Sequence, residues 1–230
     1  MIRNLIFYCY PIQGTVWPWH IERLVRHRDA WNGRRIAMVS LDQQTEKESV
    51  VRDRLAPAGV EVVVRKNHPT LHETAHFVEA LSMLESPKED EATFYCHAKG
   101  VTRKEPMLSR IRTWIEAMYV LNLTHPLAID KLLEKYATVG CFRQNLVHAG
   151  APWCFAGTFF WLKHSEIFKR NWRDINPEKY GVEGYPGRHM RFGESYGLTK
   201  DNISPGSLYE GSVTQALTEE WLSAVRRLTL

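Results

Sequence analysis

The segment His72-Glu73-Thr74-Ala75-His76 has residue types and a spacing that can do chemistry. Two imidazoles one helical turn apart can hold zinc while the glutamate activates a water, as in zinc proteases. The pattern is short, and a chain with 10 histidines produces it by chance on the order of a few per cent of the time. No third ligand follows in a helical motif, and Thr70-x-x-Glu73 reads as a capping box at the start of a helix. Two further clusters order charge more suggestively. His97-Ala98-Lys99-Gly100 closes an apolar run, with Arg103 and Lys104 just beyond it. Arg188-His189-Met190-Arg191-Phe192-Gly193-Glu194 sets a carboxylate among cations, with Glu183 upstream. Either glutamate can serve as a proton acceptor, and either can equally be an ion-pair partner at the surface.

These groups need elements to hold them. Apolar runs of strand length, several apolar on both faces, occupy 5–10, 36–41, 60–64, 92–96, 137–142 and 155–162. Helical patterns lie between them: Trp17, Ile21, Leu24 and Arg28 on one face, and Leu71, Ala75, Val78 and Leu81 on another. Met107, Ile111, Trp114, Met118 and Leu121 mark the cleanest amphipathic helix, and a shorter one covers 127–136. Alternating strands and helices predict an α/β fold, with a mostly parallel central sheet covered on both faces. The stretch 171–211 is rich in Gly, Pro, Arg and Tyr and weak in periodicity, so it reads as a long functional loop or lid. A last helix, 213–228, turns Leu217, Trp221 and Val225 back onto the domain. With no repeat and no linker, one domain over 1–230 is the simplest organisation.

Bulk properties set limits. A chain of 230 residues can bury a sizeable core, and its 44% hydrophobic and 24% charged fractions are those of a globular protein. The net charge of +4 suits an anionic ligand such as a nucleotide diphosphate without demanding a nucleic-acid partner. The 8 Trp and 9 Tyr supply flat faces with polar edges, suited to sugars and bases. Cys9, Cys96, Cys141 and Cys154 sit in apolar runs with no C-x-x-C pair, which reads as buried thiols in a reducing, cytoplasmic setting. No apolar run is long enough for a membrane span. In an open parallel sheet, ligands bind beyond the carboxyl ends of the strands. The polar residues in that position are Tyr10 to Thr15, Asp42 to Thr45, Arg65 to His68, His97 to Arg103, and Arg143 to Asn145.

Two segments carry a family likeness: Phe94-Tyr95-Cys96-His97-Ala98-Lys99-Gly100-Val101, and Trp153-Cys154-Phe155-Ala156-Gly157-Thr158-Phe159-Phe160-Trp161. Between them lie the Trp114 helix and the Val139-Gly140 pair. In this order they resemble bacterial and viral glycosyltransferases of the GT-A type, over roughly residues 92–170. The resemblance implies a nucleotide-sugar site, with UDP the expected nucleotide, at the top of the sheet. On that expectation Tyr10, Gln13, Thr15 and Asp42 hold base and ribose, Asp42 being also a candidate helix N-cap. His97, Lys99, Gly100 and Arg103 meet the diphosphate, and Gly157 and Thr158 border the sugar where a β-bulge is the bland alternative. Lys99 supplies charge for the leaving group. Glu194, or failing it Glu183, takes the acceptor proton.

The chain departs from the family where a D-x-D metal motif is usual and His97-Ala98-Lys99 stands instead. Metal-independent action is therefore open beside Mn2+ or Mg2+, with His97 as a single candidate ligand. The acceptor is open too: a glycan, a protein, a small molecule or a modified base in DNA. A zinc metalloprotease through His72-Glu73-x-x-His76, or a binding module that keeps the fold without turnover, are the competing expectations.

Overall fold

The computed structural model describes residues 1–204 and 206–229. Its strands are β1 (Ile2–Cys9), β2 (Arg35–Leu41), β3 (Glu61–Lys66), β4 (Glu91–His97), β5 (Thr138–Gly140), β6 (Arg143–Gln144), β7 (Cys154–Phe155), β8 (Phe160–Lys163) and β9 (Ser195–Gly197). The helices are α1 (Trp17–Arg26), α2 (Glu48–Leu55), α3 (Thr74–Ser82), α4 (Met107–Leu123), α5 (Pro126–Lys135), α6 (His164–Ile167), α7 (Gly181–His189) and α8 (Gly211–Thr229). Seven strands form one sheet in the order β3-β2-β1-β4-β8-β5-β9, and β6 pairs with β7 in a separate ribbon. Within the large sheet only β8 runs against its neighbours β4 and β5. This is the expected α/β architecture with a mostly parallel sheet.

The apolar runs explain the centre of the sheet. Leu5, Ile6 and Phe7 of β1 and Phe94 and Cys96 of β4 have no exposed surface, as strands covered by helices on both faces require. β3, at the sheet edge, is only half-buried. α4 buries Ile111, Trp114, Ile115 and Met118, close to the face its spacing predicts, while Met107 stays exposed. α8 packs on α4 with Trp221 and Val225 buried. Among the described residues no helix is long and apolar enough to cross a membrane.

The chain leaves β1 outward through β2 and β3, then returns to place β4 on the other side of β1. Such a reversal opens a crevice between the carboxyl ends of the two central strands.

Three local expectations change. The aromatic run 155–162 is not one strand: β7 and β8 belong to different sheets, and Gly157 (φ 98°) and Thr158 (φ 65°) turn the chain between them. Its residues are apolar because they are buried, with Phe155, Phe159, Phe160 and Trp161 at 0% exposure, and burial alone does not make a strand. The capping box at Thr70 does not form, since α3 begins at Thr74 with no side-chain cap and Glu73 turns into the interior. The segment 171–211, whose position 205 lies outside the described residues, holds α7 and β9. Gly181, Gly184 and Gly187 are buried in α7, and a Cβ on Gly187 would overlap the Trp153 carbonyl oxygen. A helix that docks through glycines leaves no apolar period to read.

Candidate functional site

The β1–β4 register sets Tyr8 beside His97, and the Ala98 N–H donates to the Tyr8 carbonyl at 2.9 Å. The chain then turns away at Lys99, whose carbonyl is held by His20 of α1. Burial lowers the His20 pKa to about 3, so its ring is neutral. Its Nε2–H donates to the Lys99 carbonyl at 2.8 Å, which leaves Nδ1 to accept from the Tyr119 hydroxyl at 2.9 Å. The Lys99 ammonium lies 4.5 Å from the centre of the Trp114 ring. Burial pushes the Lys99 pKa down, opposed by the negative charges of Glu183 and Glu73.

Glu183 stands on α7 across the crevice with 14% of its side chain exposed. One oxygen accepts the Gly157 N–H at 2.7 Å and the other meets His148 Nε2 at 3.1 Å. Burial alone would raise its pKa. The His148 hydrogen bond, the Lys99 charge and the Gly157 N–H outweigh burial and hold the carboxyl below its usual range, so it is ionised at neutral pH. The same hydrogen bond raises the pKa of His148.

Glu73 and His97 form a second unit. His97 Nδ1 lies 2.6 Å from Glu73 Oε2, and the Tyr95 hydroxyl donates to that same oxygen at 2.9 Å. Phe77 of α3 packs edge-on against Tyr95 at 4.9 Å, which fixes the helix that follows Glu73 against β4.

Tyr10, Lys99, Gly100, Arg103, Thr158 and Glu183 line one crevice with this pair, about 160 Å³ in volume. Val101, Thr102 and Arg103 separate it from a wider groove of about 840 Å³, where Gln13, Thr15, Lys104 and Arg112 lie. The groove falls within the range of small-molecule sites, roughly 300–1,000 Å³. Tyr10 donates its hydroxyl to Asp42 at 2.5 Å, and Asn67 donates to the same oxygen at 2.8 Å. Tyr10, Asp42 and His97 therefore stand at one edge of the sheet, as expected. Burial and Asp42 raise the Tyr10 pKa to about 12. Gln13 and Thr15 bond to the carbonyls of Thr45 and Ile12, shaping the groove wall.

Other expected residues lie elsewhere. Glu194 is at the opposite end of the sheet, since its carbonyl accepts the Ala137 N–H where β5 and β9 begin. Its carboxylate is 37% exposed and pairs with Arg170 at 2.9 Å. Arg143 is tied to Asp201, and Arg65 to Glu79. Gly157 sits behind the crevice wall. The close approach expected there is made by α4, because a Cβ on Gly157 would lie 2.5 Å from Met118 Sδ. Gly100 has the same reason, with Ile111 Cδ1 at 2.8 Å from its virtual Cβ.

The zinc-protease geometry is not formed. His72 precedes α3 with φ 48°, His76 Nε2 faces the Lys66 carbonyl at 3.2 Å, and Glu73 points inward. The crevice does not suit a resident Mg2+ or Mn2+ either, which prefer several oxygen ligands. His97 offers one nitrogen, Glu73 Oε2 is already engaged twice, and among the described residues no three His, Cys, Asp or Glu side chains converge.

Sequence reasoning flagged Glu73 for another role, as a zinc-motif or capping glutamate, and missed Tyr8, His148, Lys179, Tyr180 and Tyr209, all at or beside the crevice. Tyr8 carried a usable signal, lying two residues before the flagged Tyr10. The others are brought in by long-range packing of α7 and α8.

No family model and no curated protein matches the chain. Among solved structures it is similar to 4-diphosphocytidyl-2C-methyl-D-erythritol synthase, at 11% identity, TM-score 0.43, over 94% of this chain and 99% of that one. It is also similar to glucosyl-3-phosphoglycerate synthase from Mycobacterium tuberculosis, in complex with Mn2+, uridine diphosphate and phosphoglyceric acid. There the identity is 13% and the TM-score 0.46, over 96% of this chain and 78% of that one. A second structure of the M. tuberculosis enzyme gives 13% and 0.45, over 96% and 80%. These likenesses are loose, and the functional reading rests on the crevice.

Proposed function

We propose that this chain is a glycosyltransferase that moves a sugar from a nucleotide diphosphate donor, a UDP-sugar, to an acceptor hydroxyl. One observation carries the reading: a half-buried cation, Lys99, and an ionised carboxylate, Glu183, share a crevice at the switch point of an α/β sheet. As the sugar–phosphate bond breaks, negative charge gathers on the diphosphate and positive charge on the sugar. Lys99, with Arg103 and Lys104 at the mouth, meets the first; Glu183 meets the second. The base and ribose extend past Tyr10 and Asp42 and along the Gln13–Thr15 wall. Thr158 borders the sugar. No step in this scheme passes through a metal. The chain works as one domain in the cytoplasm, where its four buried thiols stay reduced.

The test is a thermal-shift screen against UDP-, GDP-, TDP- and CMP-sugars, with and without manganese. A donor at 100 times its dissociation constant stabilises the fold by about 2.7 kcal/mol. Lys99→Ala weakens that binding and lowers turnover by about 10²–10³. Absence of any shift defeats the reading, binding without turnover leaves a non-catalytic module, and one tight zinc per chain lost in His76→Ala restores the metalloprotease.

A further inference from the structure

We propose that His97, oriented by Glu73, takes the proton from the acceptor hydroxyl, an inference that rests on the glycosyl-transfer reading above. A carboxylate only accepts hydrogen bonds, so the 2.6 Å contact to Glu73 Oε2 places the ring proton on Nδ1. In the neutral ring Nε2 then carries the lone pair. That nitrogen is buried and has no partner, although Nδ1 and the Tyr95 hydroxyl beside it are both paired. A buried polar atom left unpaired costs about 1–3 kcal/mol, and in a crevice wall it marks the place of a ligand atom. Glu73 holds one edge of the ring, and Phe159 stands roughly perpendicular to it with ring centres 6.0 Å apart, so the ring's orientation is restrained.

The same crevice holds the cation and carboxylate of the transfer scheme. Glu183 is the weaker candidate for the proton, because both its oxygens already accept hydrogen bonds. The arrangement is that of an activated histidine: a buried carboxylate fixes tautomer and orientation, and the far nitrogen does the work. Glu73 thus acts from the interior face of its segment, as a positioning residue and not as the water-activating group of a zinc helix.

The step balances without a co-reactant. The acceptor O–H proton moves to His97 Nε2 as the oxygen lone pair forms the bond to the anomeric carbon. The bond from that carbon to the diphosphate oxygen breaks, and its electron pair stays on the diphosphate beside Lys99. Glu73 faces the imidazolium that results, which then loses its proton to solvent.

The experiment uses the full chain and the nucleotide sugar that shifts its melting point, with water as acceptor and nucleoside diphosphate release as readout. His97→Ala and His97→Gln lower the rate by about 10²–10⁴, far more than they weaken donor binding. Added imidazole restores part of the rate in His97→Ala and none in Lys99→Ala. Glu73→Gln leaves the fold and donor affinity in place, lowers the rate by up to about 10⁴, and shifts the His97 ring ¹⁵N signals away from the Nδ1–H tautomer. If His97→Gln turns over at the wild-type rate, or imidazole rescues nothing, the proposal is overturned on its own. A wild-type chain that binds no nucleotide sugar overturns the transfer reading itself, and this inference with it.

Discussion

Glu183 and Glu194 lie in the same Gly- and Arg-rich stretch, and by composition they are interchangeable. The fold separates them. Glu183 is carried by α7 to the carboxyl ends of the central strands, where a backbone N–H and an imidazole bond to it and the Lys99 charge across the crevice acts on it. Glu194 remains at the amino ends of β5 and β9, pairing with Arg170 and accepting the Arg191 N–H at 2.6 Å. Both carboxyls are held below their usual pKa, for different reasons. At Glu194 the Arg170 hydrogen bond leads, with little burial to overcome. At Glu183 substantial burial must first be offset. A depressed pKa therefore does not identify a functional carboxylate; the identity and burial of its partners do.

The largest expected effect comes from Gly157→Val. Valine at φ 98° is strained, and its Cβ would overlap Met118 Sδ, so strain and overpacking together remove about 2–6 kcal/mol of stability. Chemical denaturation measures this. A valine variant of normal stability would mean that α4 does not press on this turn, and the account of how Glu183 is held would fail.

Glu183→Gln comes next. It is expected to lower turnover by about 10²–10³ with donor affinity little changed, read by steady-state kinetics beside a binding isotherm. Equal losses for Glu183→Gln and Glu194→Gln would erase the distinction between the two sites.

The pH dependence of stability separates them further. Both folded carboxyls titrate below their usual 4.5, so each contributes stability present above that value and lost as pH falls through the folded pKa. Only Glu183 has a histidine partner. The His148 pKa is raised above 6.5, so its contribution is present below pH 6.5 and lost as pH rises through the folded pKa. Unfolding curves should show that alkaline-side loss in the wild type and in Glu194→Gln, and not in His148→Gln.

The smallest effect is that of Glu194→Gln itself. An ion pair this exposed contributes about 0–1 kcal/mol, and turnover should not change. A hundredfold loss of rate there would return the catalytic carboxylate to the far end of the sheet.

The sequence by itself determined the α/β class, the central strands and the crevice's cationic wall. These are local properties: an apolar run buried on both faces shows in its own composition, and a residue following such a run lies at a strand end whatever its neighbours do. Lys99, His97 and Tyr10 were legible for that reason. The length of the aromatic run misled, because burial and extension leave the same apolar signature, and only the positive φ angles at Gly157 and Thr158 divide it into β7 and β8. α7 was invisible because glycines on its buried face carry no hydrophobic period. The tertiary structure alone decided which glutamate shares the crevice with Lys99, that Glu73 serves His97 and not a helix end or a zinc ion, and that α4 is what approaches Gly157. Each is a juxtaposition of distant segments, set by how helices dock on the sheet, and side-chain type does not encode which way a docked residue will face.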